Sequence, residues 1–140
     1  MRNKVLVPVD GSPASIHALE HAGRRRQRVA EELSIIVLNV QAPLPPSRYV
    51  TRAMLRDHYA LMSRLALKRA RSTARRLKID VRFHVRYGDP AVTIVKFARR
   101  MHCREIIMGT RGRGRFAAFM LGSVASTVVQ LAGIPVTLVK

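Results

Sequence analysis

Apolar positions along the chain switch between a period of two and a period near 3.6. Val5 to Val9 is a short, β-branched apolar run, which predicts a strand buried on both faces. Asp10-Gly11-Ser12-Pro13 then makes a turn, with Ser12 placed to cap a helix and Pro13 at its first position. Ile16, Leu19, Ala22, Arg26, Ala30 and Leu33 continue one helical face, which Arg26 interrupts. Ile35 to Val40 predicts a second buried strand, and Pro43, Pro45 and Pro46 break the chain after it. Leu55, Tyr59, Met62, Ala66, Ala70, Thr73 and Leu77 recur at steps of 4, 3, 4, 4, 3 and 4, the signature of a long helix. Val81, Phe83, Val85 and Tyr87 alternate with Arg82, His84 and Arg86, so this strand turns one face or one edge to water. Gly88-Asp89-Pro90 repeats the turn, cap and proline, and opens a helix carrying Ile94, Val95 and Ala98. Ile106 to Met108 runs into Gly109 as a short strand; Ser123 opens a helix with Val124, Val128 and Leu131. Gly133 and Pro135 end that helix, and Val136 to Val139 supply the last strand.

Strands and helices therefore alternate throughout, which argues for an α/β fold with a parallel sheet, helices on both faces and right-handed crossovers. Ligands in such folds sit outside the carboxyl ends of the strands, where strand order reverses, and Asp10, Val40 and Gly109 lie at such ends. One domain over residues 1–140 is expected. At 48% apolar and 24% charged, the composition is that of a foldable globular chain. The lone Cys103 excludes an intramolecular disulfide and argues against a secreted, cross-linked scaffold. No apolar run approaches the roughly 18 residues of a membrane span. Val5-Leu6-Val7 before Pro8 is also too short for the core of a signal peptide. A cytoplasmic protein without a membrane partner is expected.

Candidate chemistry concentrates in Gly109-Thr110-Arg111-Gly112-Arg113-Gly114-Arg115, which leaves a strand, and in Gly122-Ser123, which enters a helix. Glycines let backbone N–H groups form an anion nest, and a helix start adds donors and the positive end of its dipole. The Ser123 hydroxyl offers one more donor. A phosphate cradle and a plain turn both fit a glycine-rich loop. The spacing is more telling: Gly109, two residues, Gly112, nine residues, then Gly122-Ser123. It has no Gly-Lys-Ser/Thr and no Gly-x-Gly-x-x-Gly after the first strand, which excludes both common nucleotide fingerprints.

Those blocks, taken with Val5-Leu6-Val7-Pro8-Val9-Asp10-Gly11-Ser12, Leu38-Asn39-Val40, Gly88-Asp89-Pro90 and Pro135-Val136-Thr137-Leu138-Val139, resemble the ATP-binding universal stress proteins. The resemblance runs over nearly the whole chain. It implies a single-domain, Rossmann-like fold of the adenine nucleotide alpha hydrolase type, with five parallel strands, and a homodimer paired through the last strand. It also implies ATP, or AMP or ADP, as ligand, with or without Mg²⁺. Pro8, Asp10 and Val40 would line the adenosine side, with Val40 meeting adenine partly through its backbone, and Met108 would also belong to the nucleotide site. Gly109, Thr110, Arg111, Gly112, Arg113, Gly114 and Arg115 would wrap ribose and phosphates, and Gly122, Ser123, Val124 and Ala125 would close over the phosphates. Asp10 would bind ribose or hold Mg²⁺ through water; its residue type does not choose. Two features depart from the family pattern. Arg104 stands where Asp is usual, and Arg111, Arg113 and Arg115 make the loop unusually basic. Alternate arginines suit either a bidentate phosphate clamp or a solvated loop.

His17-Ala18-Leu19-Glu20-His21 matches a zinc-peptidase pattern, but both histidines fall opposite the Ile16/Leu19/Ala22 face and lack a third ligand. Cys103 reads as a small packed side chain. Lys and Arg total 26 against 8 Asp and Glu, a formal net charge of +18, and 21 of the 26 are Arg. Arg56, Arg64, Lys68, Arg71, Arg75 and Lys78 cluster opposite the apolar stripe of the long helix, offset there by Asp57 alone. Such a ridge suits nucleic acid or merely water. With no Trp and no aromatic stacking platform in sequence, the solvated face is the favoured reading. The expected function is an ATP-binding stress-response regulator or sensor. The alternatives are a slow ATPase or phosphate-transfer protein, and a basic nucleic-acid-binding protein.

Overall fold

Val5, Leu6 and Val7 are each at most 1% exposed, so the first strand needs apolar neighbours on both faces and must lie inside a sheet. The structure, a computed structural model, describes residues 3–29, 32–110 and 121–140. Its elements are β1 (Asn3–Pro8), α1 (Pro13–Arg28), β2 (Leu33–Gln41), α2 (Arg52–Arg76), β3 (Val81–Tyr87), α3 (Pro90–Arg100), β4 (Glu105–Gly109), α4 (Ser123–Leu131) and β5 (Val136–Val139). The strands form one sheet in the order β3-β2-β1-β4-β5, every pair parallel. Val5 is central, paired with Ile35 on one side and Glu105 on the other. This is the expected α/β fold with a five-stranded parallel sheet.

The period of two distributes the core. Val5, Val7, Ile35, Val37 and Ile107 pack with Ile16, Leu19 and Leu67 of α1 and α2. Leu6, Ile36, Leu38, Ile106 and Met108 pack on the opposite face with Ile94, Phe97, Ala125 and Val128 of α3 and α4. Edge strand β3 shows the alternation expected of it: Val81, Phe83 and Val85 lean on the first cluster, while Arg82 and Arg86 are exposed.

Local chemistry starts the helices. Ser12 Oγ accepts from the Ser15 N–H at 3.2 Å, and Asp89 accepts from the Val92 N–H at 3.0 Å, each with proline next in chain. Thr51 caps α2 in the same way, accepting from the Met54 N–H at 3.1 Å. Each cap is worth about 1 kcal/mol.

One expectation fails. The helical face drawn through Leu33 stops at Arg28, because Val29 is extended (φ −94°, ψ 141°) and Leu33 opens β2 opposite Asn3. Leu33 is 3% exposed there, so pairing with β1 and burial in the sheet outweigh its fit to the helical period. Ala30 lies outside the described residues. Arg26, which broke the apolar stripe, stays out of the core and donates from Nη1 to the Asp80 carbonyl at 2.7 Å.

Glu105 ties three elements together. It accepts from Arg25 Nη1 of α1 at 2.6 Å and from the Thr137 hydroxyl of β5, with its side chain only 13% exposed. Arg104, just before it, is exposed and donates its backbone N–H to the Lys4 carbonyl at 2.8 Å, so its charge faces water rather than the cleft.

Candidate functional site

Strand order reverses between β1 and β4, because the chain builds outward through β2 and β3 before returning to add β4 and β5. Crossovers that leave on opposite faces open a crevice at the carboxyl ends of these strands. A cleft of about 380 Å³ lies there, within the size range of small-molecule sites. Pro8, Val9 and Asp10 enter it from the end of β1, Leu38 and Val40 from β2, and Met108, Gly109 and Thr110 from β4. Ser12, Ala14 and Ser15 come from the start of α1, Pro90 and Ile94 from α3, and Gly122, Ser123, Val124 and Ala125 from the start of α4.

The structure thus brings together Pro8, Asp10, Val40, Met108, Gly109, Thr110, Gly122, Ser123, Val124 and Ala125 from the sequence reading. Arg111, Gly112, Arg113, Gly114 and Arg115 lie outside the described residues. Leu38, Pro90 and Ile94 were quoted in sequence motifs but not placed in the site; for Pro90 and Ile94, which helix roofs a crevice depends on the handedness of the crossover. Asn39 was quoted without a role. Its buried side chain donates from Nδ2 to the Val9 carbonyl at 2.8 Å and accepts from Gln41 Nε2 at 2.7 Å, which fixes the exit of β1. An Asn inside an otherwise apolar run was the available signal.

Two glycines do different work. An ideal Cβ on Gly109 would lie 2.5 Å from the Ala14 carbonyl carbon and 2.8 Å from its Cβ, so only glycine lets β4 approach the first turn of α1. At Gly122 a Cβ meets nothing within 4 Å among the described residues. Gly122 also caps α4 without a side-chain acceptor among the described residues. The first backbone bond into the helix runs from the Ser126 N–H to the Gly122 carbonyl, so that among the described residues the N–H groups of Ser123, Val124 and Ala125 remain as donors at the cleft. With the positive end of the α4 dipole, they suit an anion. Thr110 lines the cleft and is also tied to the sheet edge: its N–H and hydroxyl both donate to the Val139 carbonyl of β5, at 3.0 and 3.3 Å.

Among the described residues Asp10 is the one carboxylate lining the cleft. Partial burial alone would raise its pKa, but hydrogen bonding by Ser12, whose N–H donates at 2.9 Å, holds it below the ordinary 3.8. The depressed folded-state value means that this ionisation stabilises the fold above the ordinary pKa and ceases to do so as pH falls through the lower one. Denaturant unfolding of the native chain and Asp10→Asn should show a stability gap that is constant above about pH 5 and closes in stronger acid. A gap independent of pH would contradict the hydrogen-bonded carboxylate.

Among the described residues no three His, Cys, Asp or Glu side chains cluster to hold a metal. His17 and His21 are exposed, and Glu20 is engaged by Arg24 and Arg76 at 3.7 and 3.0 Å. Cys103 is buried, and burial pushes its thiol up to about 11 despite the opposing charge of Lys4. Iodoacetamide at neutral pH should leave native Cys103 unlabelled and label it after denaturation, read by mass spectrometry. Rapid labelling of folded protein would refute the packed assignment.

A family model described as the universal stress protein family matches residues 1–140. A universal stress protein of Methanocaldococcus jannaschii is 31% identical over 142 aligned residues, covering 98% of this chain and 81% of that protein. A solved universal stress protein in complex with cAMP superposes with a TM-score of 0.71 at 22% identity, over 98% of this chain and 95% of the other. One from Archaeoglobus fulgidus in complex with dAMP superposes with a TM-score of 0.69 at 22% identity, over 100% and 98%.

Proposed function

The chain belongs to the universal stress protein family, and on that premise we propose that its cleft binds ATP and that the bound nucleotide makes the protein a stress-response regulator. The observation that carries this reading is the start of α4, whose first N–H groups have no acceptor among the described residues and border a crevice walled by Pro8, Leu38, Val40, Ile94 and Met108. Apolar walls suit an adenine ring, and the donor end suits its phosphates. The solved relatives with cAMP and dAMP support an adenine compound in this fold. Arg111, Arg113 and Arg115 follow the cleft-lining Thr110 in sequence, and a charge run there would favour a polyphosphate over a monophosphate.

Asp10 would take the ribose hydroxyls or share a Mg²⁺ with the phosphates. A single carboxylate fits an ion held mainly by nucleotide and water, which neutralises phosphate charge when bound. A carboxylate with a lowered pKa is also a weak general base, which favours binding over hydrolysis. The regulatory output would pass through Thr110, which touches the cleft and hydrogen-bonds Val139 of edge strand β5. Pairing of β5 with a second copy would cover that open edge and form the homodimer.

Thermal unfolding with ATP, AMP, cAMP and CTP tests the reading. At one hundred times its Kd, ATP adds about 2.7 kcal/mol of stability, a rise in Tm of roughly 8 °C for a chain of this size. No rise with any adenine nucleotide would reject the site, and an equal rise with CTP would reject adenine recognition.

A further inference from the structure

Eight Lys and Arg side chains lie on α2 against one carboxylate, Asp57. Arg64, Lys68, Arg71 and Arg75 fall within about 60° of its circumference and over about 16 Å of its length, one cation per nucleotide-sized step. All four are exposed, and among the described residues none is paired with a carboxylate. Their mutual repulsion is relieved only when an anion settles along them, which adds to the affinity for a chain of phosphates.

The fold also corrects the expectation that no aromatic platform exists. Edge strand β3 lies beside α2, so that Tyr59 and Tyr87, far apart in sequence, meet with ring centroids 5.1 Å apart, and His58 stands edge-on to Tyr59 at 5.7 Å. Tyr87 is 59% exposed. Arg71 lies over the Phe83 ring of the same strand at 4.4 Å, so one member of the cationic stripe reaches β3. Arg56, three residues before Tyr59, is exposed as well.

We propose that this α2–β3 face binds single-stranded nucleic acid, with Arg64, Lys68, Arg71 and Arg75 on the phosphates and Tyr87 stacked on a base. A duplex hides its base faces, so the exposed ring selects a single strand. The cleft is not involved: its lining contains none of these residues.

Fluorescence anisotropy with a labelled oligothymidylate tests this in the full-length protein. The triple substitution Arg64→Gln, Lys68→Gln, Arg75→Gln should weaken binding at least about tenfold and reduce the slope of log affinity against log salt by about 2. The charge-matched triple Lys96→Gln, Arg100→Gln, Arg104→Gln, all exposed elsewhere, should stay within about twofold of the native chain. Tyr87→Ala should weaken oligothymidylate about fivefold or more and leave inorganic polyphosphate unchanged. Equal losses for the two triples would overturn the proposal, because net charge alone would then account for binding. So would retention on phosphatidylserine vesicles without oligonucleotide binding, a result that the exposed Met54, Leu61 and Leu65 beside the stripe would explain.

Discussion

Gly109→Ala is expected to cost about 3 kcal/mol and lower Tm by roughly 10 °C. The new methyl would press on the backbone carbonyl carbon of Ala14 at 2.5 Å, not on the end of a side chain that could rotate away. Ala14 has little freedom to retreat. Pro13 fixes the first helical position, Ser12 caps the Ser15 N–H, and the Ser15 hydroxyl returns to the Ser12 carbonyl at 2.9 Å. On the other side, β4 is held by pairing with β1 and β5. The strain therefore falls on the junction of α1, β4 and the cleft. Gly133→Ala is the control, since a Cβ there meets nothing within 4 Å among the described residues, and its effect should stay within about 0.5 kcal/mol. Calorimetric melting of the two variants checks the contrast. Equal melting of Gly109→Ala and the native chain would mean that β4 does not approach α1 as described.

Gly122→Met should do the reverse, leaving the fold intact and removing nucleotide binding. The backbone at Gly122 (φ −59°, ψ 151°) is open to any side chain, and nothing described lies near its Cβ position. The added side chain would occupy the mouth of the donor array at α4. Melting without ligand should match the native chain within about 0.5 kcal/mol. The roughly 8 °C rise with ATP should vanish, equivalent to a loss of affinity of about a hundredfold. Isothermal titration gives the same answer independently. Retained affinity in a folded Gly122→Met protein would place the phosphates away from the start of α4.

These two glycines also mark the limit of what sequence discloses. Ser12 and Asp89 were readable as caps because the chemistry is local: an acceptor, a proline, then an apolar period. The strand ends at Pro8, Val40 and Gly109 were readable for the same reason, and the βα alternation was enough to bring them to one end of the sheet. Gly109 was read as part of a phosphate loop, yet its missing Cβ faces the Ala14 carbonyl, a contact with a residue far away in the chain. Only the assembled crossover discloses that reason. Leu33 satisfied two periodicities at once, and the choice between them came from β1, which needs a partner for Asn3. Tyr59 and Tyr87 became a platform only when β3 settled beside α2. Local patterns identify elements and their ends, whereas close approaches between elements belong to the tertiary structure.

The central claim is that the N–H groups of Ser123, Val124 and Ala125 receive the phosphates of an adenine nucleotide. Amide chemical-shift mapping of isotope-labelled protein titrated with ATP reads those groups one by one. The account requires the largest shifts at Ser123, Val124 and Ala125, with Thr110 and Val40 moving in the same saturable transition and Arg64, Lys68 and Arg75 unmoved. Saturation with ATP that leaves Ser123 to Ala125 in place, or that moves only the basic face of α2, would contradict it.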